Sequence, residues 1–284
     1  MSAGIDWSRL AEPQADGYDT GVIVRLAGAS EREPVHGGSA MFGGRTALTA
    51  REGALRIPHC SVAPLDHPNI ARGEALVALW PAAHRQCGAL LREVSPFVDT
   101  TRTPEQWRHS PGSSSDGFPF PFGVVAATVD NAHGFAQALV HETAHHKLRA
   151  LGVQLQRAER LIDNDPAQLY ESPIVRDRRR PMTAVVHAQY SFMHVTALDV
   201  AMYDAAPDDE TRAAAAYLLA RNVPRMETGR REIAAHLRPD AAGEAFFAAF
   251  ERWSEPTLRR GRAILDECGL GRARLDGSYP SVTR

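Results

Sequence analysis

The sequence predicts an α+β fold that is mostly helical, with a long central helix beside a small sheet and a helical C-terminal half. Three observations support this prediction. The apolar run over 123–129 has the length and composition of a buried strand. The segment directly after it carries apolar residues at helical spacing. Most of the chain after residue 181 has the same helical periodicity, with few turn signals.

The N-terminal region is the hardest to assign. Residues 1–75 are rich in glycine, proline and turn-forming residues, which predicts irregular structure with a few short strands, one of them over 21–26. A helix is predicted next over 82–94, because its apolar residues share one side and Ser95-Pro96 would end it.

A long polar stretch over 100–121 separates two parts of the chain. Its serine, glycine, proline and phenylalanine residues favour a lid or surface loop. We expect residues 1–121 to form a mixed region with irregular loops and residues 122–284 to form a helical region. The two parts can pack as one compact domain.

Helices dominate the rest of the prediction. An Asp-Pro pair at 165–166 ends the preceding segment, and a loop is expected over 170–181. The aromatic residues of the last helix recur at core spacing. The predicted helices cover 182–205, 209–222, 225–237 and 241–267.

Composition limits the functional classes. The 284 residues are 44% hydrophobic, enough for a substantial core. Because 32 Lys and Arg nearly balance 34 Asp and Glu, the net charge gives no reason to expect nucleic acid or an anionic membrane as partner. The three cysteines are far apart, and the N-terminus lacks the apolar core of a signal peptide. We therefore expect a cytoplasmic protein without a disulfide framework.

The central helix contains a metal-binding pattern, His-Glu-Thr-Ala-His over 141–145. Residues four apart on a helix have Cβ atoms about 5–6 Å apart, so His141 and His145 can bind one divalent ion with Glu142 beside it. An apolar row would hold this helix against a core. The row consists of Val140, Ala144, Leu148 and Leu151. The pattern predicts a zincin-like metal helix beside the sheet.

A catalytic metal needs a third protein ligand and an open position. One peptidase class requires Gly and His where this chain has Leu148 and Leu151, so that class is excluded. Glu159 and Glu171 are possible ligands on a charged segment and a loop. His187 is the stronger candidate, because a polar group inside an apolar helix costs free energy unless it is bonded or bound to metal.

Two further groups are candidate site residues. His194 shares a helix face with His187, so it is predicted either to contact substrate or to be a hydrogen-bonded core histidine. An arginine run precedes the same helix, and Arg180 is followed by Pro181. Because arginine binds carboxylates through two parallel hydrogen bonds, this run predicts a small anionic co-substrate near the metal.

These features together resemble a known family. The chain is similar to the His-Glu-x-x-His peptide-modification family associated with ribosomally synthesised peptides, some members of which are iron- and α-ketoglutarate-dependent β-hydroxylases. The resemblance covers roughly residues 122–199 and rests on the 139–148 motif, Ser172-Pro173 before Arg180-Pro181, and His187 with Tyr190 and Phe192. Where the family often has Trp-Arg after Ser-Pro, this chain has Ile174-Val175-Arg176, so either Arg176 or Arg180 would bind the co-substrate.

The resemblance implies a ligand set and a reaction. His141, His145 and His187 would bind Fe(II), and Arg180 or Arg176 would bind α-ketoglutarate. The expected reaction uses O₂ to hydroxylate a side-chain β-carbon of a precursor peptide, and zinc could replace iron at the same imidazoles. Glu142 would orient a ligand or position O₂ or substrate.

Two alternatives remain open at this point. In a zinc metallopeptidase, Glu142 would take a proton from a metal-bound water, and Arg180 or His194 would steady the oxyanion. In a peptide-binding protein, the metal would be structural or absent.

Overall fold

The structure is a computed structural model, and it describes residues 4–29, 38–51, 59–101, 121–175 and 177–270. Within them the fold is mixed α/β and about 56% helical with a small sheet, which confirms the coarse prediction. The helices in these ranges are α1 Tyr18–Leu26, α2 Pro68–Ala78, α3 Pro81–Leu90, α4 Ala132–Ala150, α5 Met182–Asp204, α6 Asp209–His236 and α7 Ala241–Glu267. The strands are β1 Ala40–Met41, β2 Thr46–Leu48, β3 Cys60–Val62, β4 Glu93–Asp99, β5 Val124–Thr128, β6 Leu169–Tyr170 and β7 Arg180–Pro181.

Strand β4 is the centre of a five-stranded sheet. It pairs in parallel with β2 and β5 and antiparallel with β3, and β1 lies antiparallel to β2. Every residue of β5 is buried, which confirms the buried strand predicted over 123–129. The chain passes from β5 into α4 through Asn131, whose side chain accepts a hydrogen bond from the backbone N–H of Gly134. The sheet thus sets the start of the central helix.

Helix α4 joins the two main core clusters of the described residues. Its first half, including Phe135 and Leu139, packs in the cluster with the sheet, α2 and α3. Its second half, including Ala144 and Leu148, packs in the cluster formed with α5, α6 and α7. The predicted apolar row is buried over its whole length. Because both halves of α4 pack in a core, the position of the helix is fixed, and with it the positions from which the side chains of its remaining face extend.

The strand predicted over 21–26 is wrong, because this segment belongs to helix α1. Val22 and Ile23 are buried in the core cluster of the C-terminal helices. Asp19, in the first turn, is fully buried and contacts Lys147 of α4. β-branched residues favour strands only weakly, and these contacts with distant parts of the chain determine the outcome.

The helix predicted over 82–94 is too long. It ends at Leu90, and Val94 lies in β4, which continues through Ser95 and Pro96. Pro96 lacks an N–H donor, but its carbonyl accepts a hydrogen bond from the backbone N–H of Ala63. Pairing with strands on both sides therefore extends β4 across a proline that the local sequence predicts as a helix end.

The two helices predicted over 209–222 and 225–237 are one continuous helix, α6, with Pro224 inside it. A proline removes one backbone hydrogen bond and crowds the preceding turn. Val223 and Met226, on either side of it, are both buried in the same core cluster, and α6 packs along α5. The predicted helices over 182–205 and 241–267 are confirmed as α5 and α7.

The described residues do not test the predicted lid loop, the position of Arg176 or the division of the chain at residue 121. Residues 102–120, most of the predicted lid loop, lie outside the described residues, and so does Arg176. The division at residue 121 remains a prediction. Across the described ranges, none of the helices combines the length and apolar character needed to cross a membrane.

Gly243 in the first turn of α7 should not tolerate a side chain. A Cβ there would collide with the backbone carbonyl of Leu161. We expect Gly243→Ala to lower the free energy of unfolding by about 1–3 kcal/mol, measured by denaturant unfolding. Gly21→Ala in α1 is the matched control, because a Cβ at Gly21 meets nothing within 4 Å. Gly21→Ala should be neutral or slightly stabilising, and an equal loss in both variants would contradict the close packing at Gly243.

Candidate metal centre

His141 and His145 face each other across one turn of α4. Their Nε2 atoms are 3.0 Å apart, and their rings are perpendicular with centroids separated by 4.5 Å. Two nitrogens that each lie about 2.0–2.1 Å from one ion can be at most about 4.2 Å apart. The two imidazoles are therefore close enough to bind the same ion without rearrangement of the helix.

Glu142 lies beside this pair. Its side chain is almost fully buried, and its Oε1 is 3.8 Å from His141 Nε2. Candidate ligand atoms of His141, Glu142 and His145 all lie within 4.8 Å of one another. The carboxylate is therefore close enough either to bind an ion held by the histidines or to act on a water bound to it.

His187 reaches the cluster from helix α5. It is fully buried, and its Nδ1 is 2.8 Å from His145 Nδ1. Its Nε2 is 2.9 Å from the backbone carbonyl oxygen of Val153. The structure therefore brings His187 to the predicted site, but it contacts the nitrogen of His145 that does not face His141.

Burial disfavours the charged form of these imidazoles. Desolvation lowers the pKa of His141 and of His187 to about 4, and it lowers the pKa of His145 well below its ordinary value. Repulsion from the other histidines adds to the effect at His141 and His145. A neutral imidazole is the form that binds metal, so these shifts are compatible with a metal site.

The face of α4 that bears the histidines is its least buried face. Within α4, every residue is buried except His141, His145, Arg149 and Ala150. The first three recur at intervals of four, so they form one row along an otherwise buried helix. The row therefore places two half-buried imidazoles and, one turn further on, a half-buried guanidinium along one side of the helix.

Arg149 lies on the same row as the two histidines and is not among the residues predicted above. Burial lowers the pKa of Arg149, and the negative charge of Glu142 opposes this change. The positive charge of Arg149 in turn contributes to the lowered pKa values of His145 and His187. Its position four residues after His145 is a signal that could have identified it.

Arg180 lies directly before the helix that carries His187. It is half-buried in β7, where it pairs with Tyr170 of β6. Helix α5 begins at Met182, and His187 is about 7.5 Å further along its axis. The contacts of the three histidines include one another, the Val153 carbonyl, Glu142 and Phe192.

His194 sits in an aromatic cluster. It is buried, and its Nδ1 donates a hydrogen bond to the backbone carbonyl of Tyr190 at 2.9 Å. Its ring centroid is 4.8 Å from that of Trp253 and 6.2 Å from that of Trp80. Burial lowers its pKa to about 3. Of the two roles expected for His194, these contacts favour that of a core histidine.

Comparison with known proteins adds no assignment. No protein-family model matches this chain, and no curated protein matches it.

Proposed function

We propose that this chain is an Fe(II)- and α-ketoglutarate-dependent oxygenase that hydroxylates a side-chain β-carbon of a ribosomally synthesised precursor peptide. The observation that carries the proposal is the pair of imidazoles, His141 and His145, with Nε2 atoms 3.0 Å apart on the half-buried row of an otherwise buried helix. Two imidazoles with a third ligand and open positions suit Fe(II). The metal-binding helix would be zincin-like, but the reaction would be an oxidation and not a hydrolysis.

Reactions of this class need the metal, the co-substrate and O₂ at one place. Fe(II) supplies the chemistry by which one oxygen atom of O₂ enters succinate, the other enters the new hydroxyl group, and CO₂ leaves. The protein residues hold and orient the reactants. His141 and His145 supply uncharged ligands, and Phe192 packs edge-on against the ring of His141 with centroids 5.0 Å apart. This contact fixes the ring plane of His141 and covers it with an apolar group.

The co-substrate carboxylate needs a cationic partner near the metal. The resemblance points to Arg180 or Arg176, whereas the half-buried row of α4 favours Arg149. Arg149 lies one helical turn from His145 and within electrostatic range of Glu142 and His187. A half-buried guanidinium beside neutral imidazoles would bind a carboxylate through two hydrogen bonds in a partly desolvated site.

We expect Arg149→Gln to weaken α-ketoglutarate binding by about 10–100-fold, since hydrogen bonds to charged groups contribute about 1.5–3 kcal/mol. Arg180→Gln, the matched control, should change it by less than about 2-fold, a difference well below 1 kcal/mol. The measurement is isothermal titration of α-ketoglutarate into Fe(II)-loaded protein without oxygen. Loss of binding in Arg180→Gln alone would assign the carboxylate to Arg180. Failure of the wild type to bind would contradict the proposed oxygenase.

One observation favours a second candidate, a zinc metallopeptidase. Glu142 is buried with its Oε1 3.8 Å from His141 Nε2, where it could take a proton from a metal-bound water. The test is cleavage of peptides by the zinc-loaded protein, with Glu142→Gln as the inactive variant. We expect no cleavage above background, and cleavage that depends on Glu142 would favour the peptidase.

A further inference from the structure

We infer that His187 is a positioning residue that fixes the metal-binding tautomer of His145, and that Glu142 supplies the third protein ligand in its place. The inference rests on the metal site of the proposed function and specifies its ligand set. It differs from the three-histidine set that the motif resemblance implies, and the distances around His187 carry it.

The first step is the hydrogen bond between His187 and Val153. A backbone carbonyl can only accept, so His187 Nε2, 2.9 Å from the Val153 oxygen, must carry the hydrogen. A neutral imidazole has one N–H, and His187 Nδ1 is therefore an acceptor. Val153 is itself fixed, because it is fully buried and its N–H donates to the carbonyl of Leu148 at 2.9 Å.

The second step passes from His187 to His145. Their Nδ1 atoms are 2.8 Å apart, and because His187 Nδ1 accepts, His145 Nδ1 must donate. The lone pair of neutral His145 is then on Nε2, the atom 3.0 Å from His141 Nε2. The chain of hydrogen bonds from the Val153 carbonyl thus leaves the correct nitrogen of His145 free of hydrogen for the ion. Metal-binding histidines commonly donate their other N–H to a carboxylate, a backbone carbonyl or water, and here the acceptor is His187 Nδ1.

The third step concerns the remaining ligand. Both ring nitrogens of His187 are engaged, Nε2 with the Val153 carbonyl and Nδ1 with His145. Binding an ion through Nδ1 would break the contact that sets the tautomer of His145. The Glu142 carboxylate is instead grouped with His141 and His145, with all three candidate ligand atoms within 4.8 Å of one another. Two histidines and one carboxylate are a common set for Fe(II) oxygenases and leave positions for co-substrate and O₂.

The test counts ligands and measures metal affinity with zinc or Co(II), without any turnover. X-ray absorption of the zinc-loaded protein should show two imidazoles per ion in the wild type and in His187→Ala. His187→Ala should weaken zinc affinity by about 10–100-fold, as loss of a residue that orients a ligand does. His187→Gln should restore most of the affinity, because its amide can accept from His145 and donate to Val153. Glu142→Ala should lose more affinity than His187→Ala.

Three imidazoles per ion, with His187→Gln as weak as His145→Ala and Glu142→Ala unchanged, would overturn the inference. Circular dichroism of each variant separates loss of a ligand from loss of the fold, and His187→Gln provides a reading if His187→Ala fails to fold. Absence of zinc binding in the wild type would refute the metal site and the proposed function together. Confirmation of the ligand set without α-ketoglutarate turnover would refute the oxygenase alone.

Discussion

Replacement of either His141 or His145 by alanine should abolish metal binding. We expect the affinity for zinc or Fe(II) to fall by more than about 100-fold, since even residues that only orient a ligand contribute about 10–100-fold. The two Nε2 atoms are 3.0 Å apart, and the neighbouring imidazole of His146 contacts the Val124 carbonyl of β5 instead. Competition with a chelating dye measures the affinity.

The matched control for these variants is His133→Ala. His133 is also buried on α4, about two turns before His141. It is not part of the group of candidate ligands formed by His141, Glu142 and His145, so the variant should bind metal as the wild type does. Equal losses in His133→Ala and His145→Ala would show that the loss reflects damage to the helix. Unchanged affinity in both His141→Ala and His145→Ala would contradict the metal site.

Replacement of Asp19 by alanine should cause one of the largest losses of stability. Lys147 of α4 is fully buried, with its Nζ 2.7 Å from Asp19 Oδ2, and both side chains have no exposed surface. The amide of Gln86 also donates to this carboxylate. Loss of Asp19 would leave a buried ammonium without its ion-pair partner, which costs about 3–5 kcal/mol. Denaturant unfolding of Asp19→Ala measures this loss.

Two further variants make the ion-pair prediction specific. Arg212→Ala removes an exposed pair with Asp209 and should cost less than about 1 kcal/mol. The double variant Asp19→Leu with Lys147→Met removes both buried charges and should recover much of the stability that Asp19→Ala loses. A loss in Asp19→Ala no larger than that in Arg212→Ala would contradict an essential role for the buried pair.

The parts of the fold that the sequence predicts well are those whose signal lies within one element. The buried strand before α4, the apolar row of α4, and helices α5 and α7 depend on the periodicity of short stretches. The segment of α1 was predicted as a strand because its local sequence does not show the contact between Asp19 and Lys147. These two residues are 128 positions apart in the chain. Likewise, β4 crosses Pro96 and α6 crosses Pro224 because distant segments pack against them.

The residues of the candidate site also differ in how well the sequence predicts their positions. The relation of His141 to His145 follows from the period of one helix, and Arg149 could have been found by extending that period by one turn. The sequence predicts that His187 lies near the site, but it cannot predict which ring nitrogen of His187 contacts His145. That contact depends on how α5 packs against α4 and on where the chain places the Val153 carbonyl.

The most direct test of the oxygenase is parallel measurement of O₂ uptake and succinate formation by anaerobically purified, Fe(II)-loaded protein after exposure to air. We expect uptake only when Fe(II) and α-ketoglutarate are both present, with one succinate formed per O₂ consumed, and none in His145→Ala. O₂ uptake that is independent of α-ketoglutarate, or no succinate with or without candidate peptides while the zinc form cleaves them, would contradict the account.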